Sequence, residues 1–137
     1  MKYVVAIMVM LFTSIGYCGD IPALIRTKAK KYNVDAKLVY AIAVVESGLD
    51  PDAVGELGEV GLFQLRPQFH TVSGNLKQDV ETAVRYLAYV KFHCYHKYGD
   101  AWFICYNTGP FRTYVVREPK RFDYYVKVME AYRKVSI

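Results

Sequence analysis

Apolar residues recur three and four positions apart along most of the chain, and each such stretch is bracketed by residues that start or stop helices. In Asp20–Asn33, DIPALIRTKAKKYN, Asp20 stands where an N-cap belongs and Pro22 falls in the first turn. Ala23, Leu24 and Ala29 share one face of that helix. In Val34–Gly48, VDAKLVYAIAVVESG, Asp35 is the cap, Leu38, Ala41, Ile42 and Val45 keep helical spacing, and Gly48 is the stop. From Gly48 to Pro67 the periodicity lapses and turn residues dominate. The longest predicted helix is Gln78–Asp100, with Asp79 as its cap and Gly99 near its end. A short apolar helix, AWFICYN, follows and is ended by TGP. The last helix, within Glu118–Val135, has Pro119 in its first turn and turns Phe122, Tyr125, Val128, Met129 and Tyr132 inward. The pattern predicts a single, mainly α domain of five helices with little strand.

Composition adds a solvent and a class of partner. Hydrophobic residues make up 53% and charged ones 23%, enough for a packed core and too apolar for a disordered chain. The 18 Lys and Arg outweigh 13 Asp and Glu, for a net charge of +5, which favours an acidic partner. The basic residues are scattered and no nucleic-acid motif accompanies them, so an anionic polymer such as a bacterial wall fits better than nucleic acid. At the N-terminus, Lys2 precedes an apolar run from Tyr3 to Phe12 and then small residues, the layout of a signal peptide over residues 1–18. The working domain is then 19–137, exported to the periplasm or the cell exterior. With Cys18 removed, Cys94 and Cys105 form an even pair in an oxidising compartment. A disulfide and two buried thiols both remain open. No Cys-x-x-Cys or paired His cluster points to a metal, and no cofactor is implied.

Glu46 is the residue with chemistry in prospect. It ends an apolar helical run, where unpaired carbonyls disfavour a negative charge and the neighbouring Ile42 and Val45 exclude water. A carboxyl raised toward neutrality in this way can donate a proton to a leaving oxygen, as glycoside cleavage requires.

Four segments then fall into one order: Glu46–Ser47, Gly61-Leu62-Phe63-Gln64, Tyr106-Asn107-Thr108-Gly109, and Tyr124 in the final helix. Together with DVETAVRYL they resemble the catalytic domain of the soluble lytic transglycosylases, relatives of goose-type lysozyme, over roughly Ile21 to Val135. The resemblance implies a lysozyme-like fold with its active-site cleft between helices, and cleavage of the β-1,4 bond between N-acetylmuramic acid and N-acetylglucosamine. It implies Glu46 as the single catalytic carboxylate, acid toward the glycosidic oxygen and then base toward the muramic 6-hydroxyl, which closes an anhydro ring. It further implies that Ser47 orients the glycan, that Gln64 lines the cleft floor, that Tyr106 and Asn107 contact sugar, and that Tyr124 holds the Glu46 carboxyl. Phe63 stands where the family has Met and is expected to narrow or stiffen a sugar subsite. Of the two adjacent tyrosines, Tyr125 shares the apolar seam, leaving Tyr124 for the cleft edge.

Two rivals stay in view. One is a muramidase-type hydrolase of the same fold, with Asp50, Asp52, Glu56 or Glu59 as the second carboxylate. The other is a non-catalytic wall-binding protein. The expected partner is the peptidoglycan glycan strand, met by a monomer, with a secretion or phage-entry apparatus as a candidate assembly.

Overall fold

The computed structural model describes residues 20–111 and 115–137; the segment 1–18, expected to be a signal peptide, lies outside the described residues. The described residues form five α-helices: α1 (Ile21–Tyr32), α2 (Ala36–Ser47), α3 (Leu76–Tyr98), α4 (Ile104–Thr108) and α5 (Asp123–Lys134). Single 3-10 turns at Gly99–Ala101 and Pro119–Arg121 precede α4 and α5. Among the described residues, none of these helices is long and apolar enough to cross a membrane.

α2 is the centre. Leu38, Val39, Ala41, Ile42 and Ala43 are all buried, so the helix is covered on every side, as an apolar helix in water must be. It packs between α1 and α5, while α3 packs on α1 and carries α4 against its far end. Asp20 and Asp35 cap α1 and α2 as expected, their carboxylates accepting from Ala23 N (3.1 Å) and Lys37 N (2.8 Å). The buried face of α1 is Ile25, Lys28 and Ala29, with Ala23 and Leu24 only partly covered. Lys28 is buried because Glu81 of α3 reaches it; Lys31 and Tyr32 bind the same carboxylate, which is held down at about 2, with Lys28 as the largest cause.

Two helix starts differ from the pattern. α3 begins two residues before Gln78, because Asn75 caps it by accepting from Gln78 N (3.2 Å). Asp79 turns back instead and accepts from Ser73 N, Ser73 Oγ and Gly74 N, fastening the incoming loop. α5 begins at Asp123, because Phe122 is extended (ψ 132°) and separates it from the turn that Pro119 opens. The inward residues of α5 are Tyr124 and Val128; Tyr125 is half-buried, its ring stacked on Phe103 with centroids 5.2 Å apart. Cys94 and Cys105 are bonded to each other, tying α3 to α4.

Candidate active site

The end of α2 delivers a carboxyl to a cleft. Gly48 takes the left-handed conformation (φ 64°) and its N–H donates to Val44 O, closing the helix two residues after Glu46. The cleft has a volume of 690 Å³, and Glu46, Gln64, Tyr106 and Asn107 line it together with Glu59 and Tyr86.

Glu46 is braced from below. Tyr124 of α5 donates its hydroxyl to Glu46 Oε1 at 2.6 Å. Burial pushes the Glu46 carboxyl up, the Tyr124 hydrogen bond pulls it part of the way back, and the Glu59 charge adds to the rise; the outcome is about 7. Burial in turn holds the Tyr124 and Tyr106 hydroxyls well above their ordinary value, with the Glu46 charge adding to both, so each stays a proton donor. Exclusion of water is the largest cause of the raised carboxyl.

The loop from Asp50 to Pro67 forms one wall. Antiparallel bridges join Val54 to Val60 and Val60 to Leu65, folding the loop back on itself twice. Gln64 sits in the left-handed region (φ 49°), and its amide nitrogen donates to Ala53 O (3.2 Å) and Gly61 O (3.0 Å). Gln64 thus braces the loop while lining the cleft. Gly55 is required by space: a Cβ there would fall 2.5 Å from Glu59 Oε2 and 2.6 Å from Gln64 Oε1. The room it leaves is taken by Glu59, which accepts from Leu57 N (3.0 Å) and from Arg66 Nη2 (3.2 Å). Backbone hydrogen bonds, from its own N–H first and then from Leu57, hold the Glu59 carboxyl below its usual range, with Arg66 helping. The cleft therefore holds one carboxyl raised and one lowered.

Three residues expected at the substrate lie elsewhere. Ser47 donates to Leu62 O (2.8 Å) and accepts from Asp50 N (3.1 Å), so its hydroxyl staples the helix end to the loop and does not face the cleft. Phe63 is a core side chain at 2% exposure; it can shape no sugar subsite directly, though its carbonyl accepts from the Tyr106 hydroxyl at 2.7 Å. Tyr124 touches Glu46 but is buried at 7% exposure, not placed at a cleft edge. The pattern missed His70 and Tyr86, whose rings meet edge-on 4.4 Å apart on the cleft. A signal existed for the second: Tyr86, Tyr89 and His93 fall at i, i+3 and i+7, one stripe of a helix. Among the described residues, no group of three or more His, Cys, Asp or Glu side chains is arranged to hold a metal ion.

Residues 23–125 match the transglycosylase SLT domain family. Among solved structures, the chain is similar to the lytic transglycosylase Slt of Pseudomonas aeruginosa, determined as an inactive mutant. The TM-score is 0.55 at 19% identity, over 83% of this chain and 22% of that one. The chain thus spans about a fifth of the length of that enzyme, and the likeness is one of fold.

Proposed function

The chain belongs to the transglycosylase SLT domain family, the peptidoglycan lytic transglycosylases, and we propose that Glu46 is both the acid and the base of its reaction. Protonated Glu46 gives its proton to the glycosidic oxygen as the bond from that oxygen to muramic C1 breaks. The N-acetyl oxygen of the same sugar closes on C1 and carries the positive charge. The Glu46 carboxylate then takes the proton of the C6 hydroxyl, whose oxygen attacks C1 and displaces the N-acetyl oxygen. The product is a 1,6-anhydromuramic end, no water is consumed, and Glu46 is again protonated. A single carboxyl can serve both steps only if both its forms are accessible at working pH, and the rise to about 7 supplies that. The observation that carries the proposal is geometric: one buried carboxyl faces the cleft, with its Oε1 held 2.6 Å from the Tyr124 hydroxyl.

Tyr124 holds the carboxyl, Tyr106 and Asn107 offer contacts to sugar, and Gln64 keeps the loop wall in place. On this reading the enzyme works in the periplasm or outside the cell, exported by segment 1–18, as a monomer on glycan strands. A secretion or phage-entry apparatus is the assembly it would serve. One observation favours a hydrolase instead: Glu59 is an ionised carboxylate on the same cleft and could orient a water. Its hydrogen bonds to Leu57 N and Arg66 already occupy it, which argues for the ring closure.

The test is a digest of purified wall read by mass spectrometry. We expect muropeptides lighter by one water than their reducing counterparts. Glu46→Gln, which keeps the shape and removes the proton, should lower the rate by at least about 100- to 10,000-fold, the usual share of acid–base help. Reducing ends in the wild-type digest would establish the hydrolase, and substantial activity in Glu46→Gln would remove Glu46 from both roles.

A further inference from the structure

Aromatic rings continue past the cleft along the outer face of α3. Tyr86 lines the cleft and contacts Tyr106, its ring 5.6 Å away, and Tyr89, 6.2 Å away and nearly parallel. Tyr89 meets His93 at 4.3 Å, and Phe111, on the segment after α4, closes over both at 6.3 Å and 5.3 Å. From Tyr86 to His93 this stripe advances about 10 Å along the helix. Its outer members are open to solvent: Tyr89 is 43% exposed and Phe111 71%.

Scattered exposed rings need no explanation, but a run in contact with one another and with a polar cleft does. Ring stacking fixes the faces these side chains present, and each face offers apolar area next to a polar edge. A pyranose presents the matching surface, with C–H groups on its face and hydroxyls on its rim. Tyr89 and Phe111 are not part of the lining of the cleft that holds Glu46, so the stripe lies outside the chemistry. We propose that Tyr89, His93 and Phe111 form an auxiliary glycan subsite, which holds sugars of the same strand beyond those seated in the cleft. The occupant follows from continuity: a polymer leaving the cleft past Tyr86 next meets Tyr89. This rests on the reading of the cleft as a glycan site, and it deepens that reading into a preference for long strands.

The experiment has two arms. In the first, Tyr89→Ala, Phe111→Ala and the double variant are assayed on long glycan strands and on a fragment only long enough to fill the cleft. KM for long strands should rise roughly two- to ten-fold for each ring removed. Turnover at saturation should hold, the short fragment should be processed at the wild-type rate, and Phe111→Tyr should behave as wild type. In the second arm the same substitutions are placed on Glu46→Gln, and equilibrium binding to purified glycan strands freed of stem peptide is measured. Weaker binding by the same factors supports the subsite and does not depend on whether the protein cleaves. Unchanged KM and binding on long strands, or equal losses on long and short substrates, would overturn it. Binding that disappears once the stem peptides are stripped would assign the stripe to peptide and overturn it as well.

Discussion

Glu46 and Glu59 are the same residue type in one cleft, and their surroundings drive them apart. Glu46 has lost water and gained one hydroxyl donor; Glu59 keeps two backbone N–H groups and a guanidinium. The Glu59 charge in turn keeps the proton on Glu46, since a nearby anion disfavours a second one. Glu59→Gln removes that anion and frees Arg66 to add positive charge, and both changes favour ionised Glu46. Its carboxyl should therefore titrate below about 7, and the alkaline limb of the rate profile, where the proton donor is lost, should move to lower pH. The move should be smaller than the whole rise, because burial is the largest cause and stays. A pH profile of kcat/KM checks it, and an alkaline limb that stays put would remove Glu59 from the electrostatics. Sequence pattern singled out Glu46 because a carboxylate at the end of an apolar run is conspicuous. It could name Glu59 only among four carboxylates. The distinguishing fact is the close approach of its side chain to Gly55, which depends on how the loop doubles back.

At the scale of elements, caps and stops were legible wherever a short-range hydrogen bond decides them, as with Asp20, Asp35 and Gly48. They were misread where a side chain reaches outside its helix. Asp79 looks like a cap from sequence but binds the loop before α3. The face of α5 was legible except at one position: Val128 is in the core and Phe122, Tyr125, Met129 and Tyr132 pack against it, but Tyr124 is buried as well. Counting apolar spacing left Tyr124 off the inner seam, because the partner of its hydroxyl, the Glu46 carboxyl of α2, is not visible in the spacing. A buried tyrosine needs a partner for its hydroxyl, and Glu46 is the partner. Tyr124→Phe therefore deletes a hydrogen bond that lowers the Glu46 carboxyl, which should then titrate above about 7. Stability should fall by about 1 kcal/mol, the ordinary worth of such a bond. The rate should drop while glycan binding persists, since the side chain is covered and meets no sugar. Tyr125→Phe keeps the stack on Phe103 and should leave both rate and binding unchanged. Paired rate and binding measurements on the two variants check this; the opposite pattern would move the positioning role to Tyr125.

The whole molecule depends on keeping two walls at a fixed separation, and each wall is fastened by a different kind of bond. The loop wall is held to the end of α2 by Ser47, which donates to Leu62 O, and is braced within itself by Gln64, which donates to Ala53 O and Gly61 O. The opposite wall is α4, five residues long and too short to be stable alone. It carries Tyr106 and Asn107, and Cys105 beside them is bonded to Cys94 of α3, 11 residues earlier in the chain. Sequence showed that the two cysteines could pair but could not choose between a bond and two thiols, because the choice depends on how the turn at Gly99–Ala101 returns the chain. Both residues are buried, at 1% and 2% exposure, so reduction opens no cavity and asks only that the two sulfurs separate from bonding to van der Waals distance. Reduction should therefore act mainly by releasing the unfolded chain from its closed loop, a loss of roughly 2–3 kcal/mol. For a domain of this size that corresponds to a fall in Tm of roughly 5–10 °C. Cleavage should decline before the fold is lost, because the freed segment is the one that presents Tyr106 and Asn107. Intact mass with and without reductant should differ by two hydrogens, and melting and rate followed across the same reduction give the order of events. If the rate were retained until Tm is reached, α4 would be held by its packing on α3 and α5, and the disulfide would serve stability alone.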